Sequence, residues 1–174
     1  MVEEDTSMVE SKYAYVEEIG AMHGGMDVEA LVELFSIHRI HRRIMTRMDK
    51  YFSSWGLNST GFWLLFHVIS SRDRPLSPAE LAEECGLARP SMTSALDVLQ
   101  RRGYVKRQAD LQDRRMIRIH MTPTGERFMN EVFPEICQGI LRIAFHLKEA
   151  ERKSLMRLFR KVEQGVGVLI QETE

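Results

Sequence analysis

The sequence predicts a mainly α protein with a small β-hairpin, and three observations carry that reading. Apolar residues recur at helical steps over most of the 174 residues. Two short helical patterns, divided by Gly86-Leu87-Ala88, are followed at once by two short strand patterns with a polar tip. Long amphipathic patterns stand on either side of this centre. A chain of this length supports one domain, or one domain with appendages. Hydrophobic residues at 44% and charged residues at 28% suit a packed core and are too apolar for a disordered chain.

Residues 1–27 read as a loose, acidic N-terminal extension containing Gly20, Gly24 and Gly25, with one short helical piece over 13–19. From Val28 the period changes. Leu31, Leu34, Phe35, His38, His41, Ile44, Met45, Met48 and Phe52 recur at three- and four-residue steps, predicting a helix of about 25 residues. Ser53-Ser54-Trp55-Gly56 ends it. A second helix over 60–70 is apolar nearly all round (Phe62, Trp63, Leu64, Leu65, Phe66, Val68, Ile69) and is expected in the core.

Ser77-Pro78-Ala79-Glu80 opens a third, short helix. Ser77 is a good N-cap, Pro78 suits the first turn, and Glu80 can reach back to the cap amide, a capping box. Gly86 stops this helix, and a fourth runs over 90–102 until Gly103. Two short helices joined by three residues containing Gly form a helix-turn-helix. Next, 104–107 and 116–121 read as the strands of a hairpin with a polar tip at 109–115. Ile117, Ile119 and Met121 alternate with Arg118 and His120, as expected for a strand with one buried face. Thr122-Pro123-Thr124-Gly125-Glu126 begins a long helix to about Leu147, with a kink expected at Pro134. A last helix, about 148–170, carries a stripe at Leu155, Leu158, Phe159, Val162, Val166 and Leu169.

A helix-turn-helix followed by a hairpin is a winged helix. The fold class is therefore a winged helix-turn-helix core over 58–122, flanked by an N-terminal dimerisation helix over 28–57 and C-terminal dimerisation helices over 123–174. The terminal stripes exceed what the core can cover, so they are expected to pack against a second copy.

Net charge −1 hides a strong asymmetry. Residues 1–33 carry nine acids and one base, whereas 89–118 carry eight bases against Asp97, Asp110 and Asp113, a net of +5. Counterion screening over about 8 Å lets such a patch act on phosphate regardless of distant acids. The second helix of a helix-turn-helix fits the major groove, with its N-terminal side chains at the base edges. Here those are Arg89, Ser91, Thr93 and Ser94: short hydroxyl side chains behind a guanidinium. The wing tip, with Arg114 and Arg115, can place an arginine in the adjacent minor groove. Asp113 would repel phosphate, so its expected task is to hold an arginine side chain by a charge-assisted hydrogen bond.

These residues resemble a known family. Leu76-Ser77-Pro78-Ala79-Glu80-Leu81-Ala82-Glu83-Glu84-Cys85-Gly86-Leu87, the frame Thr93, Asp97, Leu99 and Gly103-Tyr104-Val105, and Asp113-Arg114-Arg115 running into Ile119-His120-Met121-Thr122-Pro123-Thr124-Gly125 are similar to the multiple-antibiotic-resistance regulator (MarR) family. The resemblance covers about residues 30–170. It implies a homodimeric transcription factor, usually a repressor relieved by a small anionic aromatic ligand. It places Ser91, Thr93 and Ser94 on groove-facing positions and Asp113 with Arg115 on the wing. Family members often have arginine where this chain has Ser94 and Val98, so the operator does not carry over. The implied dimer uses the first helix and the last two, and implies a pseudo-palindromic operator of double-stranded DNA with half-sites about 34–36 Å apart.

His38, His41, Arg42, Trp63 and His67 offer cation, hydrogen-bond and stacking partners for an effector between the dimer helices and the DNA-binding lobe. Each also has a plainer reading, as helix packing or a solvated face. The histidine spacing allows a two-histidine metal site, but no carboxylate or cysteine stands obviously nearby, so neither metal nor cofactor is expected. Cys85 and Cys137 suit neither a disulfide framework nor a zinc site. The peroxide-sensing branch of the family uses a cysteine on the first helix, where this chain has none. No catalytic Ser/His/Asp order, glycine-rich phosphate loop or paired carboxylates stand out, so an enzyme is not expected. The short apolar runs and the acidic start (Met1-Val2-Glu3-Glu4-Asp5) point to a cytoplasmic protein without membrane contact. Two rival readings are an activator of the same fold and a winged helix that meets protein.

Overall fold

The computed structural model describes residues 6–110 and 112–171 of the chain, with side chains over 13–110 and 112–168. In order, the helices and strands are α1 (Thr6–His23), α2 (Val28–Phe52), α3 (Ser59–Ser70), α4 (Pro78–Glu84), α5 (Arg89–Arg101), β1 (Val105–Ala109), β2 (Ile117–Met121), α6 (Pro123–Ala144) and α7 (Glu149–Gln171). The chain divides into two compact units, Met1–Phe62 and Trp63–Glu174.

In the first unit, α1 packs on α2. The expected loose extension with a helical piece over 13–19 is instead an 18-residue helix. Tyr13 stacks on Phe35 at 6.2 Å between ring centroids. Gly20 is buried where any Cβ would collide with Val28, so a residue that weakens an isolated helix here permits close packing. The acidic run Glu3-Glu4-Asp5 lies outside the described residues.

Asp27 caps α2 by accepting the Ala30 N–H at 3.0 Å. Of the stripe expected on α2, only Phe52 is buried, stacked on Phe62 at 4.7 Å. Leu34, Ile37, Ile40 and Ile44 instead form an exposed apolar face at three- and four-residue steps. His38 and His41 are exposed as well.

The second unit centres on the winged helix. The capping box forms as expected: the Ser77 hydroxyl accepts the Glu80 N–H, and the Glu80 carboxylate accepts the Ser77 N–H at 2.7 Å. α4 packs on α5 and on β2, and α5 packs on β1. Leu81, Met92, Leu96, Leu99, Val105 and Ile119 fill the space between them, all nearly solvent-free. Each such side chain contributes about 1.5–3 kcal/mol of burial. β1 and β2 are antiparallel, with Val105 opposite Met121 and Ala109 opposite Ile117.

The expected buried face of β2 is realised only at its middle. Ile119 is buried and Met121 half-buried, but Ile117 is exposed near the tip, past the end of the supporting helices. Thr122 then caps α6, accepting the Gly125 N–H at 3.0 Å. A Cβ on Gly125 would strike the Tyr104 carbonyl and Met121 Sδ, which explains a glycine in the first turn of α6. α6 is continuous through Pro134. α7 exposes Leu155, Leu158, Phe159, Val162 and Val166, each by about 40% or more. The Leu169 side chain, expected in the same stripe, lies outside those described.

Candidate nucleic-acid interface

The start of α5 is an open helix end. Ala88 in the N-cap position makes no side-chain cap, and Pro90 brings no N–H, so the first turn leaves donors for an external acceptor. Arg89, Ser91, Thr93 and Ser94 are all exposed, while Met92 and Leu96 anchor the opposite face in the core. The Thr93 hydroxyl donates to the Arg89 carbonyl at 3.0 Å. The helix therefore presents a shallow, small-residue surface that backbone or base edges can approach closely.

The basic stretch over 89–118 divides into two kinds of cation. Arg107 donates to Asp97 and to Gln100, both at 2.8 Å, and fastens β1 to α5. Arg118 donates from Nε to Asp110 and from Nη1 to Glu80, both at 2.6 Å. These two arginines point inward. Among the described residues, Arg89, Arg101, Arg102, Lys106, Arg114 and Arg115 have no ion-pair partner.

The wing tip is shaped by carboxylates. Asp110 accepts the N–H groups of Gln112 at 2.7 Å and Asp113 at 3.2 Å as well as the Arg118 guanidinium. The Arg118 hydrogen bond, then the two N–H groups, hold its carboxyl down to about 2. Glu80 is also held below the usual carboxylate range, first by the Ser77 N–H and then by the Ser77 hydroxyl. Asp113, expected to grip an arginine side chain, instead accepts the backbone N–H of Arg115 at 3.0 Å. The side-chain grip belongs to Asp110, Arg118 and Glu80, which sequence reasoning missed. Leu111 lies outside the described residues.

The residues expected at an effector site fall in both units. In the first, His38, Arg39, Arg42, Arg43, Thr46 and Arg47 line an open groove of about 480 Å³ along α2. In the second, Trp63 is exposed by 43%, against its expected place in the core, with its ring edge-on to Phe66 at 5.8 Å. The outer face of α3 leaves the indole at the surface. His67 Nδ1 lies 3.1 Å from Glu84. Cys85 is half-buried, and burial followed by the Glu84 charge pushes its thiol pKa up, the opposite of a reactive thiolate. No group of three or more metal-ligating side chains occurs among the described residues.

Residues 55–116, from the end of α2 through the wing tip, match the MarR family model. The chain is 26% identical over 157 residues to the HTH-type transcriptional repressor YetL of Bacillus subtilis, covering 90% of this chain and 94% of that protein. The chain is also 26% identical over 134 residues to the transcriptional repressor MprA of Escherichia coli, covering 77% of this chain and 76% of MprA. The fold of the chain matches that of Sco3205, a MarR family transcriptional regulator from Streptomyces coelicolor solved in complex with DNA, with TM-score 0.73 and 22% identity. That match covers 82% of this chain and 90% of the other. These relatives are named transcriptional regulators, a non-enzymatic class. No described helix is long and apolar enough to cross a membrane.

Proposed function

We propose that the chain is a sequence-specific DNA-binding transcriptional repressor that works as a homodimer and is relieved by a small anionic ligand. The observation that carries the reading is the pairing of an open, small-residue start of α5 with a wing tip whose Arg114 and Arg115 have no ion-pair partner among the described residues. Ser91, Thr93 and Ser94 approach the major groove, Arg89 meets the backbone beside them, and Arg115 enters the adjacent minor groove. Asp113 sets the backbone from which Arg115 projects. YetL and MprA are transcriptional repressors, which favours repression, and Sco3205 was solved with DNA.

The dimer reading rests on the exposed apolar faces. An amphipathic helix gains most of its stability from burying that face, and α7 leaves Leu158 and Phe159 about half exposed. The effector reading rests on α2, where His38 and Arg42 line an open groove and His41 is exposed on the same helix, offering cations and donors to an anion. Trp63 and His67 lie in the other compact unit, and Glu84 already occupies one ring nitrogen of His67.

The experiment is selection of duplexes from a random pool by the full chain. The expected product is an inverted repeat with half-site centres about 34–36 Å apart. No enriched sequence would overturn the DNA reading, and a single half-site bound by one protomer would overturn the dimer.

A further inference from the structure

A short two-stranded hairpin has little stiffness of its own, so the direction of a wing depends on what ties it to the helices. In this chain a polar path runs from the N-cap of α4 to the wing tip. One Glu80 oxygen accepts both the Ser77 N–H at 2.7 Å and Arg118 Nη1 at 2.6 Å. The other end of the same guanidinium donates to Asp110 at 2.6 Å. Asp110 accepts the N–H groups of Gln112 and Asp113, and Asp113 accepts that of Arg115. One backbone bond, Ile119 N–H to Leu76 carbonyl at 2.9 Å, fastens the root of the wing beside this path. A second side-chain tie, from Arg107 to Asp97 and Gln100, holds β1 to α5 one residue pair further from the tip, so among the described side chains the Arg118 path is the one that reaches the tip itself.

Arg118 suits this place for geometric reasons. It lies opposite Gln108 in the hairpin, one residue pair from the tip, and its side chain is only 25% exposed. A guanidinium can bond two carboxylates at once from opposite ends, which an ammonium point charge does less well. Both partners are themselves fixed, Glu80 by the capping box and Asp110 by the turn it organises. The arginine therefore joins a helix cap 38 residues before it to a turn 8 residues before it.

We propose that Arg118 is the positioning residue of the wing: held between Glu80 and Asp110, it sets where Arg115 stands relative to α5, and so which base pairs flanking each half-site are read. The proposal rests on the DNA-binding reading above. It has an unusual electrostatic sign. Glu80 and Asp110 are negative charges near the DNA surface, so neutralising either one strengthens attraction to phosphate if charge alone matters. If position matters more, the same change weakens binding.

The test uses the full chain and the duplex that the wild type selects from a random pool. Asp110→Asn and Glu80→Gln keep acceptors for the turn and the cap while removing the charge, and Arg118→Lys keeps the charge while losing the two-ended grip. Affinity is measured by fluorescence anisotropy for the selected duplex. It is also measured for duplexes with single base-pair changes, either under the wing or under α5. Each variant is expected to bind the selected duplex about tenfold more weakly. Discrimination is expected to fall at the wing positions and persist under α5, with thermal midpoints near that of the wild type. Unchanged or tighter binding by Asp110→Asn and Glu80→Gln overturns the proposal, as does equal loss at both sets of positions. A wild type that selects no sequence overturns the DNA reading itself, and the wing's role with it.

Discussion

The winged helix and α7 lie in the same compact unit and are satisfied in opposite ways. Over 76–122 most apolar side chains are inside, with Leu81 and Leu96 fully buried and Val98, Met116 and Ile117 the exposed exceptions among the larger ones. The carboxylates of Glu80, Asp97 and Asp110 each hold a defined donor. α7 runs for 23 residues with none of its described side chains buried, and its apolar stripe is turned to solvent. Its charged residues do little to compensate: Lys153 pairs with Glu149 one turn back, an exposed contact of small worth. A region that closes its own core and its own polar groups needs nothing further to hold its shape. A region with a continuous exposed apolar face is where the proposed dimer would gain most by burial.

The same substitution at two places breaks this comparison most sharply. Leu96→Ala, in the centre of the winged helix, is expected to cost about 2–5 kcal/mol of stability whatever the protein concentration. Leu158→Ala, on α7, is expected to change little in the folding of the protomer and to shift the concentration at which two copies associate. Denaturant unfolding and sedimentation, each at two concentrations, measure both. Equal losses at the two positions mean that α7 belongs to the protomer core.

A smaller effect sharpens the account of the polar residues. Arg115→Ala removes a side chain with no ion-pair partner among the described residues, so folding is expected to be unchanged. Operator binding is expected to weaken by about 1–3 kcal/mol. A gel-shift titration beside a thermal melt distinguishes this from a structural role, which would move the melt as well.

The smallest effect is confined to acid. Asp110 is held at about 2 in the folded chain, below the ordinary carboxylate range, chiefly by Arg118. Its contribution is thus present above the unfolded value of about 4 and is lost as pH falls through 2. Asp110→Asn is expected to flatten the fall in stability between about pH 4 and pH 2 and to leave its slope near neutrality unchanged. Thermal melts across that range check it, and an unchanged acid slope removes Asp110 from the wing's polar path.

Local signals explain what was legible in the sequence. Ser77 and Glu80 are three residues apart, and their reciprocal bonds follow from that spacing alone. The helix-turn-helix, the hairpin and the outward residues of α5 likewise depend on neighbours within a few positions. Arg118 was illegible because its grip requires the hairpin register and the approach of a helix cap 38 residues away. The basic count over 89–118 treated all eight cations alike, although Arg107 and Arg118 serve the fold. Asp113 is expected to hold an arginine side chain, but its Oδ1 accepts the backbone N–H of the arginine two residues on. α1 is underpredicted because Gly20 lowers its intrinsic helicity, whereas contact with α2 supplies the stability. On α2 the stripe read from the sequence includes His38 and His41 and omits Ile37 and Ile40, which share the exposed apolar face with Leu34 and Ile44.

The central claim is that this winged helix engages the phosphate backbone of duplex DNA, and salt dependence tests it most directly. Affinity for the selected duplex, measured from low to physiological salt and beyond, is expected to fall linearly on a log–log plot. The slope is expected to be about −0.9 per phosphate contact, several contacts in all, and to become shallower by about one contact when a phosphate-binding arginine is removed. An affinity that stays flat across the same range would contradict the account and leave the winged helix as a surface for protein.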